Sequence, residues 1–359
     1  MLLSRQTTVS FCPAVPDYHP KGSLMAVTLK DVADLAGVSV KTVSNVVNGY
    51  DFVREDNRAR VEEALRSTGY RPNIGARNLR RGRTGFLALV VPELGIPYFG
   101  ELTALIITAA RAHGWNILIE QTQGIRELER SSLDQLGPHV VDGAIVSPEA
   151  LEAEDLVGLS AAVPLVMLGE HTVDVSLDRV AIDNVLAART AVEHLITLGR
   201  KRIGVIGDNS RRGTAALRVE GYRQATRAAG LAVPPGFVVP VDNYHRRDGA
   251  EAMRTLLAVP EPPDAVFCFN DLLAVGALRA AANSGLRVPE DIAIIGFDGS
   301  DESAYSLPSL STIAPDKTAI AEAAIDLIRR RSGPERAGPV EDIRTPFVLE
   351  ARESTVGRA

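Results

Sequence analysis

The stretch VTLKDVADLAGVSVKTVSNVVNG, residues 27–49, reads as two short helices joined by a glycine turn. Thr28 can cap the first helix, with Asp31 three residues on to reach back to the cap. Val32, Leu35 and Ala36 are expected on one face, and Gly37 supplies the left-handed conformation that stops the helix. Val38 plugs the turn. Ser39 caps a second helix that runs to Val47 and turns Val43, Val46 and Val47 inward. Ser39, Val40, Lys41, Thr42, Ser44, Asn45 and Asn48 are then left outward. Small hydroxyl and amide side chains beside one lysine can bond both phosphates and base edges in a major groove. A third helix over about 55–68 closes the small core with Val61, Ala64 and Leu65, and Gly69 ends it.

Charge points the same way. The 359 residues carry a net −6, yet Met25 to Arg83 holds eleven Lys/Arg against seven Asp/Glu. With residues 1–24 at +1, the chain from Thr84 onward is left at −11. A basic head on an acidic body suggests a polyanionic partner for the head alone. The sharpest basic run is Arg71, Arg77, Arg80, Arg81 and Arg83, with no acid between them.

The chain is long enough for at least two domains, and 45% hydrophobic with 23% charged residues describes a globular protein with a sizeable core. No apolar run approaches the ~18 residues of a membrane span. Residues 1–24 lack the apolar core of a secretory signal, and 1–25 are read as a disordered tail or a start placed too early. Two cysteines, Cys12 and Cys268, cannot form a disulfide framework, and no Cys/His spacing suits zinc. A cytoplasmic protein without metal or cofactor is expected.

The run 27–49, followed by GYRPN at 69–73, resembles the DNA-binding head of the lactose repressor (LacI/GalR) family, and the resemblance extends over about residues 26–356. It implies a fold of an N-terminal all-α helix-turn-helix head on an α/β two-lobed, periplasmic-binding-protein-like body with doubly wound parallel sheets. In the head, Ser39, Thr42 and Asn48 match phosphate-contacting positions, and Val40 and Lys41 match the pair that reads bases. Thr28, Ser44 and Tyr70 complete the expected DNA-binding set in the head. Asn45 stands where the family's namesake has an arginine. Asn73 to Arg80 matches a hinge helix that folds on operator DNA. In it Leu79 matches a leucine that wedges into the minor groove, unstacking a step at a cost of roughly a few kcal/mol. Arg77 and Arg80 flank that leucine and can reach the narrow groove or its phosphates.

From Gly85 onward apolar runs alternate with helical patterns. Strands are expected at 86–91, 116–120, 142–147, 164–168, 179–183, 202–207, 265–270 and 292–298. Helices are expected at Glu101–His113, Asn184–Thr197 and up to Ala282. Buried β-branched strands separated by helices indicate parallel doubly wound sheets, here two in tandem. By resemblance, lobe 1 comprises about 84–182 and 314–344, and lobe 2 about 183–313 and 345–356. The run LEAREST, 349–355, matches a terminal strand, and the end at Ala359 leaves no room for a tetramerisation helix, so a homodimer is expected.

Ligands of such sheets bind beyond the carboxyl ends of the strands. That rule picks out Tyr98, Phe99, Ser147, Asn270 and Asp298. The resemblance adds Arg218, leading RVEGY, as a residue that grips the effector, and Tyr244 as an aromatic that stacks on it. Carboxylate, amide and aromatic faces together suit a sugar, although Asn270 and Asp298 could equally cap a turn or helix and Tyr98 could be core. After strand 164–168, Gly169-Glu170-His171 stands where the namesake has a ligand-binding aspartate, so its effector is not carried over. The reading is a ligand-responsive, operator-binding regulator, most often a repressor. A periplasmic sugar-binding protein needs export and has no use for a basic head. An enzyme lacks its usual signs, since no P-loop, no GxSxG and no GxGxxG after a strand occur.

Overall fold

The computed structural model describes residues 27–70, 83–156, 163–169, 177–208, 213–333 and 338–357. The expected tail over 1–25, most of the linker over 73–83, Glu170 and His171 lie outside them. The chain divides into two compact units, with the boundary between Arg77 and Asn78.

The first unit is a three-helix head, α1 (Leu29–Ala36), α2 (Val40–Val47) and α3 (Glu55–Thr68). The Thr28 cap is reciprocal: its backbone N–H donates to Asp31 at 2.8 Å and its hydroxyl accepts from the Asp31 N–H at 3.3 Å. Gly37 ends α1 at φ 61°. Arg60 of α3 donates to the carbonyls of Ala36 and Gly37 at 2.5 and 2.9 Å, capping α1 from across the core. That core is Val32, Ala33, Ala36, Val43, Val46, Val61 and Ala64. Leu35 corrects the expectation, being 60% exposed. At 100° per residue, Val32, Ala33 and Ala36 share a face from which Leu35 points about 110° away.

The second unit holds two six-stranded sheets. Sheet 1 has the order β11-β5-β4-β3-β1-β2, and sheet 2 the order β12-β10-β9-β8-β6-β7. In chain order the elements are β1 (Phe86–Val91), α4 (Pro97–Ala112), β2 (Asn116–Gln121), α5 (Arg126–Asp134), β3 (Gly143–Val146), α6 (Ala153–Leu156), β4 (Leu165–Leu168) and β5 (Asp178–Ala181). Then follow α7 (Asn184–Thr197), β6 (Ile203–Asp208), α8 (Gly213–Ala228), β7 (Val238–Pro240), α9 (Arg246–Leu257), β8 (Ala265–Cys268), α10 (Asp271–Asn283) and β9 (Ala293–Phe297). The chain ends with α11 (Asp301–Tyr305), β10 (Ser311–Pro315), α12 (Lys317–Arg331), β11 (Asp342–Arg344), β12 (Phe347–Glu350) and α13 (Glu353–Val356).

Strand alternation explains the layering. Leu87, Leu89 and Val91 of β1 face α4 and α12, while Ala88 and Val90 face the opposite side with Leu133, Leu151 and Leu156. Sheet 1 is parallel throughout its paired strands. Sheet 2 is parallel except for β12, which runs antiparallel to β10. The expected terminal strand over 349–355 therefore ends at Glu350. Beyond it Ser354 turns inward to donate to the Ile294 carbonyl at 2.6 Å, and 353–356 become helical.

The chain passes between the sheets after β5, after β10 and between β11 and β12. The last two crossovers are tied together, with the Asp316 N–H donating to Pro346 O at 3.0 Å. Helix α4 begins one turn earlier than expected because Pro97 fits its first position. Tyr98 and Phe99 thus ride on the first turn of a helix.

Candidate nucleic-acid interface and ligand cleft

In the head, Ser39 caps α2 by accepting from the Thr42 N–H at 3.1 Å, and the two hydroxyls meet at 2.9 Å. Ser39, Val40 and Lys41 are exposed at the helix start, Val40 to 44%, and Thr42 is half-buried. No acid stands in the first turn, so the positive end of the helix dipole is unopposed. A phosphate can approach the free N–H groups there while Val40 and Lys41 project beyond them. Ser44 and Asn45 are half-buried on the flank. Asn48 donates to the Ser44 carbonyl at 2.6 Å and ends the helix, which leaves its buried Oδ1 without a partner. The Thr28 hydroxyl serves its cap, and Tyr70 packs against the head core. Asn73, Arg77, Leu79 and Arg80 lie outside the described residues.

In the body, Arg218 lies among some of the residues expected beyond the strand ends. Its guanidinium lies 3.5 Å over the Phe297 ring. Nε donates to Asn184 Oδ1 at 3.0 Å, and Nη1 donates to the Phe269 carbonyl. Burial lowers its pKa, and the charge of Asp298 opposes that. Tyr244 donates from its hydroxyl to Gly207 O at 2.8 Å, and its own carbonyl accepts from Asn270 Nδ2 at 3.1 Å. Asn270 also caps α10, accepting from the Leu273 N–H at 2.8 Å. Both ends of this amide are therefore engaged within the protein.

Asp298 is buried, and its backbone sits at φ 110°, a region that side chains rarely adopt. Burial pushes its carboxyl up to about 8, with Arg218 opposing the shift. Beneath it Asp271 accepts from Ser300 N and Oγ at 2.7 and 2.8 Å and from Thr312 Oγ1 at 2.7 Å. Tyr98 comes from lobe 1. Burial and the charge of Asp298 raise its hydroxyl, and Arg218 pulls it back. Phe99 meets Tyr98 edge-on at 5.2 Å, and Ser147 follows β3 with its N–H on Val90 O. Neither of these two enters the contacts around Arg218. A second bridge between the lobes joins His245 Nε2 and Glu93 Oε2 at 2.8 Å.

Sequence reading did not single out Asn184, Phe269, Phe297 or Asp271. The two phenylalanines read as ordinary strand residues; their place at strand carboxyl ends was the available signal. Chemically, the cleft offers a fixed cation on an aromatic face, a carboxyl able to hold or release a proton, and phenol groups. Such a set is chemically suited to polyhydroxylated or anionic small molecules.

Residues 28–73 match the family described as bacterial regulatory proteins, lacI family, and residues 192–355 match a periplasmic binding protein-like domain. A curated relative, the HTH-type transcriptional repressor CytR of Escherichia coli K12, is 36% identical over 84% of this chain and 89% of that protein. The lac repressor dimer bound to operator and the anti-inducer ONPF superposes with a TM-score of 0.81 at 26% identity, over 92% of this chain and 99% of that one. The complex of the transcriptional regulator CelR with cellobiose gives 0.68 at 30% identity, over 91% and 99%. Among the described residues no helix is long and apolar enough to cross a membrane. The helix-turn-helix head, the two-lobed body and these likenesses agree: the chain belongs to the lacI family of DNA-binding transcriptional regulators.

Proposed function

We propose that the chain is a cytoplasmic repressor that binds a pseudo-palindromic operator as a homodimer and responds to a small molecule held between its lobes. The head, 26–72, reads a half-site through Val40 and Lys41. Ser39, Thr42 and Asn48 approach phosphates, supported by Thr28, Ser44, Asn45 and Tyr70. The linker, 73–83, folds on DNA so that Leu79 wedges at the operator centre between Arg77 and Arg80. The body, 84–356, takes the effector and pairs the protomers.

One observation carries the reading of the cleft. Lobe 2 sets Arg218 over Phe297 at 3.5 Å, with Asp298 one residue on, lobe 1 supplies Tyr98, and Glu93 Oε2 of lobe 1 meets His245 Nε2 of lobe 2, next to Tyr244, at 2.8 Å. A ligand seated there touches both lobes and so favours one lobe arrangement. A carbohydrate is the effector class this chemistry suits, with induction as its effect. The CelR neighbour, solved with cellobiose, supports that choice. Asn270 contributes its position more than free hydrogen-bonding capacity, and Phe99 and Ser147 line the approach. The cleft is expected to turn nothing over.

The test is selection of bound fragments from random duplex DNA by the purified full chain at a stated salt concentration. An enriched pseudo-palindrome with a flexible central step is the expected result. That duplex then serves to screen sugars for release. No enrichment, with or without a metabolite mixture, would overturn the reading. Leu79→Ala should weaken binding to the selected duplex while the head stays folded, and unchanged affinity would remove the wedge.

A further inference from the structure

Lobe 1 grips lobe 2 at one edge of the cleft through two side chains. Glu101, on the second turn of α4, accepts from the Asp301 N–H at 3.1 Å with one carboxylate oxygen. Its other oxygen pairs with Lys317 Nζ at 2.9 Å. Lys317 is the first residue of α12, immediately past the crossover at Asp316, and its Nζ also donates to the Gly299 carbonyl at 2.7 Å. The Lys317 side chain is only 11% exposed, so water competes weakly for it.

The gripped segment, 298–301, is the loop that carries Asp298 out of β9. Asp298 is one of two non-glycine residues with positive φ among the described residues. Gly299 follows at φ 58° and lies so close to Ala314 that a Cβ on it would fall 2.4 Å from the Ala314 Cβ. A non-glycine residue in such backbone is strained, and the strain persists where its surroundings over-determine it. From its own lobe the loop is held by the Asp298 N–H on Ile313 O at 2.8 Å, by Thr312 Oγ1 on the Gly299 N–H at 3.2 Å and by Asp271 on Ser300. From lobe 1 the hydrogen bonds to it, among the described residues, are those of Glu101 and Lys317. Both residues also line a cavity of about 660 Å³ that runs along the crossovers at Asp316 and Pro346. Helices α4 and α12 pack on sheet 1 and the loop leaves sheet 2, so any change in lobe arrangement would shift them relative to one another.

We infer that Glu101 and Lys317 are positioning residues: they form a clasp by which lobe 1 fixes the 298–301 loop, so that lobe arrangement sets how Asp298 is presented to the cleft. An isolated surface ion pair contributes little. The clasp differs because both partners also hold backbone groups of the opposite lobe. The consequence for an effector rests on the reading of the cleft proposed above. The clasp itself does not, and its test needs neither DNA nor effector.

Hydrogen exchange of the full chain, read by mass spectrometry over 298–302, tests it. Lys317→Met removes both of its bonds, and Glu101→Gln keeps the acceptor for Asp301 while removing the charge. Exchange over 298–302 is expected to rise about tenfold in Lys317→Met and less in Glu101→Gln. Lys317→Arg, which can still reach Gly299 O, should restore slow exchange. The head, and β1 to β3, should exchange as in the parent. Unchanged exchange over 298–302 in Lys317→Met overturns the clasp. A rise spread evenly over lobe 2 overturns it too, because the pair would then be a general stabiliser.

Discussion

The guanidinium carbon of Arg218 lies over the ring of Phe297, 3.5 Å from its centre, while two of its N–H groups are tied to Asn184 and Phe269. A long side chain that normally loses much rotamer freedom on binding is here already immobile. The cation is preorganised, and a ligand meets it without having to order it.

Arg218→Lys should therefore separate charge from geometry. Lysine keeps the charge, but it has no planar face for Phe297 and cannot span Asn184 Oδ1 and the Phe269 carbonyl together. The response to the effector should weaken about 10- to 100-fold, an effect of roughly 1.4–2.8 kcal/mol. Operator affinity without effector should hold. Titrating effector into the complex with the selected duplex measures both, and a lysine variant that responds like the parent would rule out the geometric role.

Two buried carboxyls should give the body an alkaline limit. Burial pushes Asp298 up to about 8 and Asp271 up to about 6, from a usual value of 3.8. Their folded pKa values are raised, so the folded body binds more protons than the unfolded chain within that window. The associated stability is fully present below about pH 4 and is lost as pH climbs through 8. Asp291, held at about 2 by Arg287, acts only at the acid end and does not confuse the reading. Urea unfolding followed between about pH 5 and pH 8 should show a falling midpoint. Asp298→Asn should flatten the upper part of that fall. A parent midpoint that stays level across the window contradicts the assignment.

How far the sequence could be read depends on which contacts are local. Caps, glycine stops and strand alternation act over a few residues, and Thr28, Gly37, Ser39 and the runs around Leu87 and Ile294 were legible for that reason. Leu35 points outward because the inward face of a two-turn helix is settled by contact with α3, not by its own periodicity. The start of α4 rests on Pro97, whose fixed φ suits a first turn but leaves no apolar periodicity to announce it. The reversed direction of β12 depends on how the chain returns from lobe 1, which no local pattern records. In the cleft, Asp298 and Arg218 stood out by resemblance and position. Glu101, Lys317, Glu93 and His245 did not, since each acts through a partner far away in the chain.

The turn of the head carries a double constraint. Gly37 sits at φ 61°, and a Cβ there would also fall 2.5 Å from Arg60 Nη2. Gly37→Ala should destabilise the head by about 1–2 kcal/mol from the backbone alone. Arg60 adds to this unless it withdraws and leaves the carbonyls of Ala36 and Gly37 uncapped. Adding Arg60→Ala to Gly37→Ala should then cost less than the two separate losses combined. Thermal unfolding of the head signal in the full chain measures the cycle. Strict additivity would show that the guanidinium moves aside freely.

Self-association should depend on apolar surface that the single chain leaves open. Tyr305 and Leu307 are 82% and 78% exposed at the end of α11, beside Val275, Leu278 and Ala282 of α10. On sheet 1 the edge strand β2 exposes Leu118 and Ile119 to 42% and 40%. A bare apolar edge strand invites pairing or burial, and contiguous exposed apolar residues mark contact surfaces. Tyr305→Asp with Leu307→Asp places charge where a second copy would bury area, and both side chains leave the folded core untouched. The doubly substituted chain should sediment as a monomer at concentrations where the parent sediments as the proposed dimer. Its affinity for the full pseudo-palindrome should drop by two or more orders of magnitude (about 3 kcal/mol), because each head then binds its half-site alone. Binding to a single half-site should be unaltered. A variant that remains a dimer would transfer the interface to the β2 edge, where Ile119→Lys poses the same question.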